Sequence, residues 1–426
     1  MKHLVLIGGG HSHAIVLKMF GINPLPGVRL TLISDVLHAP YSGMLPGHVA
    51  GFYDYDECHI DLRSLAEFAG CQILIDRAIA IDLNKNLVIC QTHPPVNFDL
   101  LSVDIGSTPA TLSVPGAAEY AIAAKPVPEF LASWNQLISQ RQNHPQKPLR
   151  IAIVGGGAGG VELALNMQSR LGKEERRRKK EEGRGKKEEG RRKREENLEN
   201  LSSEIHLFHS GAELMPGHNK RVRRRLKEIL ISRGIKLHLM EKVSAIEKPE
   251  TIDIEDNQEC PMPNAQCPMP NAHISCKSGL ELECEIIFWV TQASAANWIR
   301  ESGLATDLNG FMQVNDCLQS VSHPNVFAAG DIAAMVNYPR PKAGVFAVRQ
   351  GKPLFENLQQ FLLEKPLKPF APQEQYLGLI GTGNKRAIAS RGSFMWESAL
   401  LWYWKDWIDR QFMQKFSNLP KTRNTR

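Results

Sequence analysis

Two stretches of this chain follow one plan, about 145 residues apart. In the first, an apolar run, Lys2–Ile7, meets Gly8-Gly9-Gly10 and continues into the largely apolar Ala14–Phe20. In the second, "RIAIV" (Arg150–Val154) meets six small residues, Gly155 to Gly160, and continues into "VELALNM". A short apolar run stopped by glycines predicts a buried strand, and the longer segment after it predicts a helix. A further apolar run completes each unit, Val28–Ser34 in the first and Ile205–Ser210 in the second. Strand, helix and strand in that order close only as a right-handed βαβ unit on a parallel sheet covered by helices. The expected class is therefore α/β, with two such units and a C-terminal helical region.

The glycine spacing says what the units hold. Gly155, Gly157 and Gly160 form GxGxxG. The first glycine permits the tight turn, the second lets backbone approach a pyrophosphate, and the third lets helix pack on strand. In the first unit Gly8 and Gly10 fill the two phosphate-facing positions, and His13 stands where the helix-packing glycine belongs. Both units read as Rossmann-like dinucleotide cradles. The second strand of such a unit often ends in an acid that binds the ribose hydroxyls. Here Ser34, followed by Asp35, and His209, followed by Ser210, occupy those places, so NADH and NADPH both stay open.

Composition removes other classes. The net charge of +6 misleads as a nucleic-acid footprint, because Leu171–Asn200 carries 13 Lys/Arg against 9 Glu. The remainder is near neutral, so no nucleic-acid partner is expected. That charged segment (172–199) nearly repeats "KKEEGRG" as "KKEEGRR" and is expected to be a solvated helix or loop. "CPMPNA" occurs at Cys260–Ala265 and again at Cys267–Ala272, which is no standard metal pattern, and no metal is expected. Eight scattered cysteines without a CxxC pair, no apolar run long enough to span a bilayer and a first strand at the very start point to the cytoplasm. In Lys220–Ser232, Val222, Leu226, Ile229 and Leu230 form a helical apolar stripe, which leaves the arginines on a solvated face.

The two glycine turns and "VFAAGDIA" (Val326–Ala333) together resemble the two-dinucleotide-binding-domain flavoproteins, the pyridine nucleotide–disulfide oxidoreductase superfamily. The resemblance implies FAD on the first unit (1–122 and 306–365) and NADH or NADPH on the second (148–300), followed by a C-terminal region (366–426). It implies that Gly8, Gly10, His13, Ser34, Gly106, Gly330 and Asp331 line the FAD site. Gly155, Gly157, Gly160 and Glu162 would line the NAD(P)H site. The overall shape is similar to type II NADH dehydrogenases. "GGGHSH", "PYSGMLPG", "HIDLR", "IGSTP" and "WKDWIDRQFM" are more specifically similar to the flavoprotein half fused ahead of selenophosphate synthetase, which suggests a functional link to that enzyme. Its kinase half is missing, so selenophosphate synthesis is not implied.

The departures bear on the electron acceptor. Disulfide reductases place a cysteine at the flavin, whereas "PYSGMLPG" (Pro40–Gly47) has none, so a dithiol relay is not expected. The quinone motif of type II dehydrogenases is only echoed in "GVFAVRQG" (Gly344–Gly351). Tyr41, Pro46 and Arg349 are the candidates for the acceptor side. The expected activity is FAD-dependent NAD(P)H oxidation with a small-molecule electron acceptor, a quinone or a selenium, sulfur or other redox species. A flavin-binding redox sensor without turnover is the alternative. The aromatic segment Phe394–Phe416 is expected to be a helix with two stripes. These are Trp396, Leu400, Tyr403 and Trp407, and Leu401, Trp404, Ile408 and Phe412. One side would pack on the flavin domain, and the other would meet a membrane surface or a homodimer partner.

Overall fold

The computed structural model describes residues 1–109, 114–143, 149–185, 203–248, 272–291 and 293–420. Each expected unit is a five-stranded sheet. The first has the order Val326–Ala328, Leu100–Val103, β1 (Lys2–Ile7), β2 (Val28–Ser34), Gln72–Ile75. Every pair in it is parallel. The second has the order Ile122–Ala123, Ile286–Trp289, Leu149–Val154, Ser203–His209, Lys236–Leu239, again parallel throughout. In both sheets the strand before the glycine turn is flanked on its two sides by strands reached in opposite directions. That switch opens a crevice at its carboxyl end, where open parallel sheets bind ligands.

Local signals explain the elements. β1 is apolar on both faces and Leu4, Val5, Leu6 and Ile7 are all buried, as a central parallel strand requires. The helix after it, α1 (His11–Ile22), buries Ala14, Val16, Leu17 and Phe20. The Lys220–Ser232 helix buries Val222, Leu226, Ile229 and Leu230, takes an N-cap from Asn219, and is followed by Gly234 at φ +75°. Its arginines are not all free in solvent: Arg225 pairs with Glu397 and Arg223 with Glu213. The Ala158–Gly185 helix runs into the charged segment. The rest of that segment, and the duplicated "CPMPNA" up to Asn271, lie outside the described residues.

The C-terminal aromatic segment is not one helix. Phe394–Ser398 is the last strand of a three-stranded antiparallel sheet, with Gly378–Gly381 and Ala387–Arg391. Ser398 then caps the Ala399–Ser417 helix through Leu400 N–H. Trp396 therefore belongs to a strand and not to the helical stripe. The buried side of the helix is Leu401, Trp402, Asp409, Phe412, Met413 and Phe416, while Trp404 and Ile408 of the expected second stripe are exposed. This region joins the two units. Phe412, Met413 and Phe416 enter the core of the first, and Ile380 and Ile388 that of the second.

Candidate active site

The first turn is crowded in a way that only glycine permits. Gly8 adopts φ +89°, and a Cβ there would overlap the Asp104 backbone. A Cβ at Gly10 would overlap the Asp104 carboxylate. His13 is fully buried, and its imidazole bridges the Gly8 carbonyl (Nδ1, 2.7 Å) and Ser102 Oγ (Nε2, 2.8 Å). The ring thus joins helix to strand by hydrogen bonds where a glycine would allow direct contact. Burial lowers its pKa to about 4, so it is neutral.

Asp104, at the end of the Leu100–Val103 strand, was not singled out from the sequence. Its Oδ2 accepts the backbone N–H groups of Ser12 (2.9 Å) and His13 (3.1 Å), in the first turn of α1. Burial raises its pKa to about 7, against the lowering effect of those two donors. The turn at Gly330 closes the other side, and a Cβ on Gly330 would overlap Asp104 Oδ1. Gln350 Oε1 accepts Gly330 N–H at 2.7 Å and holds that turn. Asp331 accepts from Ser107 Oγ (2.9 Å) and Lys125 Nζ (2.8 Å). Burial would raise the Asp331 pKa, but Lys125 and the hydrogen bonds outweigh it and the value is lowered. Gly106, at φ +71°, turns the chain into Ser107 beside this cluster. Gly8, Gly10, His13, Gly106, Gly330 and Asp331 therefore converge on one place. The turn sits at the carboxyl end of a parallel strand, a Cβ on Gly106 would meet nothing within 4 Å, and Asp331 offers a side chain beside it, which fits a dinucleotide such as FAD.

Ser34 is buried, and its hydroxyl donates to the Val36 carbonyl at 2.8 Å. Asp35 beside it pairs with Arg77 at 3.1 Å.

The second turn is built differently. A Cβ on Gly160 would overlap the Gly155 carbonyl oxygen, so helix and turn touch directly. A Cβ on Gly157 meets nothing within 4 Å, which leaves open space where a pyrophosphate is expected. Met215 N–H donates to Gly156 O at 2.8 Å and folds the segment after His209 over the turn. His209 itself is engaged by Glu213 O at 3.0 Å. Glu162 is half-buried in the first turns of the Ala158–Gly185 helix, and its Oε1 accepts Gly381 N–H at 2.7 Å. Burial raises its pKa to about 6, with Lys405 acting in the opposite direction.

The acceptor-side candidates separate. Tyr41 OH donates to Asp409 Oδ1 at 3.1 Å, and Lys405 Nζ bridges Asp409 Oδ2 (2.6 Å) and Gly43 O (2.5 Å). The Lys405 and Asp409 side chains are only 15% and 7% exposed. The Tyr41 ring lies 4.6 Å from Phe412 and 5.3 Å from His11, centroid to centroid. His11 Nε2 is buried without a hydrogen-bond partner, and burial lowers the pKa of the ring to about 4. Pro46 lies in the first turn of the short Leu45–Val49 helix just beyond. Arg349 is exposed on the Gly344–Leu362 helix, whereas its neighbours Ala347 and Gln350 are buried, so it is not part of this cluster. Lys125, Lys405 and Asp409 went unnoticed in the sequence because no local pattern marks them.

This geometry agrees with the comparisons. Residues 2–351 match the family model described as pyridine nucleotide-disulphide oxidoreductase, and the chain belongs to that family. It is a flavin-dependent oxidoreductase enzyme, with FAD and NAD(P)H as cofactors. It is 23% identical to ferroptosis suppressor protein 1 of Xenopus tropicalis over 87% of this chain and 83% of that one. It is 21% identical to NADH dehydrogenase-like protein YutJ of Bacillus subtilis over 95% and 99%. Its fold matches the NDH2 of Plasmodium falciparum, solved in complex with NADH, at TM-score 0.73, with 15% identity, over 98% of this chain and 99% of that one. Among the described residues no helix is long and apolar enough to cross a membrane.

Proposed function

We propose that the chain takes hydride from NAD(P)H on the second unit (148–300) to FAD on the first (1–122 and 306–365) and passes the electrons to a second small molecule. One observation carries this reading. Tyr41 and Gly43, from the first unit, contact the same Lys405–Asp409 pair that lies close enough to Glu162 of the second to shift its titration. The active ends of both units thus face one junction under the C-terminal helix. When bound, the flavin supplies the two-electron chemistry. Glycine backbone at the two turns would hold the pyrophosphates, Asp331 and Lys125 would orient the flavin's ribityl side, and Tyr41, Phe412 and His11 would exclude water from the acceptor side.

Two acceptor classes suit this junction. Trp396, Leu400, Tyr403, Trp404 and Trp407 are exposed around the C-terminal helix, which supports a peripheral membrane contact and a quinone. A homodimer contact would use the same face. On the other side, "PYSGMLPG" and "WKDWIDRQFM" meet through Tyr41 and Asp409. Those two strings carry the resemblance to the selenophosphate-synthetase-linked flavoproteins, and this supports a selenium or sulfur species. Met44 is fully buried there and the loop itself carries no thiol, which supports an acceptor other than a dithiol.

The test is an anaerobic titration of the flavin band with NADH and then NADPH, followed by soluble quinone and by selenium and sulfur oxidants. Bleaching and acceptor-dependent recovery are expected. Gly157→Glu places a carboxylate in open space, so it should fold, retain flavin and resist bleaching. Normal bleaching of that variant would overturn the nicotinamide assignment.

A further inference from the structure

The carboxylate of Asp104 lies between the parts of the first cradle. It contacts the α1 N-terminus through Ser12 and His13, and it fills the space beside Gly10 and Gly330. It is 2% exposed. The Ser12 and His13 amides donate to it, and among the described residues no cation pairs with it. The charged and titratable groups that face it do not neutralise it. His13 and His11, on α1, are held neutral by burial. Asp331, on the Gly330 turn, is anionic and is itself matched by Lys125 at 2.8 Å. Lys342 donates to the Ala333 carbonyl at 2.8 Å.

A pyrophosphate brought to Gly8 and Gly10 adds negative charge to this buried volume. Like charges in low dielectric cannot all stay ionised, and the group without a cation is the one that takes a proton. We propose that Asp104 is protonated when the flavin's pyrophosphate is bound, so that FAD binding takes up one proton from solution at this carboxyl oxygen. This rests on the reading that the first turn holds FAD. Asp104 is then a positioning residue that acts through the helix terminus, and flavin retention becomes a function of pH.

The sign follows from linkage. Free of flavin, the carboxyl titrates at about 7. Below that pH it already carries the proton and binding takes up none. Above it, each pH unit weakens FAD binding by a factor approaching tenfold. Calorimetric titration of the flavin-free full chain with FAD, in two buffers of different ionisation enthalpy, counts the protons. At pH 8 the expected uptake approaches one per FAD, and at pH 5.5 it approaches zero. Asp104→Asn, a neutral isostere of the protonated acid, should bind FAD with no uptake and a flat pH profile. Equal uptake in both proteins, or none in the parent chain at pH 8, would overturn the proposal. Should the variant fail to fold, as judged by circular dichroism, the uptake of the parent chain decides alone. Absence of FAD binding at every pH would instead overturn the flavin assignment of this turn together with the proposal. Binding without proton uptake removes only the proposal.

Discussion

The two nucleotide units share strand order, a glycine turn and a helix, and they differ in how that helix is held to its strand. In the second, Gly160 lies against the Gly155 carbonyl and no side chain intervenes. In the first, the imidazole of His13 and the carboxylate of Asp104 do the joining, from Gly8 O and Ser102 Oγ on one side to the Ser12 and His13 amides on the other. A sequence motif therefore specifies where backbone must come close to a ligand, and the third position is free to vary when something else packs the helix. The difference also has an electrostatic side. Gly157 has open space around it, whereas the first turn carries a buried acid.

Exchanging the third residues tests the contrast most severely. Gly160→His must push the helix off the turn, so flavin reduction by NAD(P)H should slow by on the order of 100-fold or more while flavin stays bound. Stopped-flow absorbance reads this, and near-normal reduction would show that the two units tolerate the same residue. The reverse change, His13→Gly, removes a buried ring and two hydrogen bonds. It should cost roughly 2–4 kcal/mol in denaturant unfolding, and a neutral result would make His13 a passive filler.

Glu162 sharpens the electrostatic half. Its folded-state pKa, about 6, lies above the ordinary 4.5. Stability from the protonated carboxyl is fully present below pH 4.5 and is lost as pH rises through 6, a loss on the order of 2 kcal/mol. Glu162→Gln should flatten that part of the stability profile, and an unchanged profile would place the titration elsewhere. The smallest effect belongs to Arg349→Ala. On an exposed helix face it should change stability by less than about 0.5 kcal/mol and leave turnover intact. A marked loss of turnover would return Arg349 to the acceptor side.

The amino-acid sequence by itself determined the two parallel-sheet units, their glycine turns and the stripe Val222, Leu226, Ile229 and Leu230, because each is encoded within one turn or one strand of its own chain neighbourhood. It also marked Gly330, Asp331 and Gly106 through a family pattern, and the structure gathers them beside Gly8 and Gly10. Three things were decided only in the tertiary structure. Trp396 pairs with Ala389 in a strand, although its spacing to Leu400 reads as helical. Asp104 reaches Ser12 across 92 residues, and Tyr41 reaches Asp409 across 368. Local periodicity carries no information about partners at that separation. Which strand lies beside the turn, and which helix closes over the loop, follow from how the apolar faces are buried together, and the polar pairs form where that burial brings them.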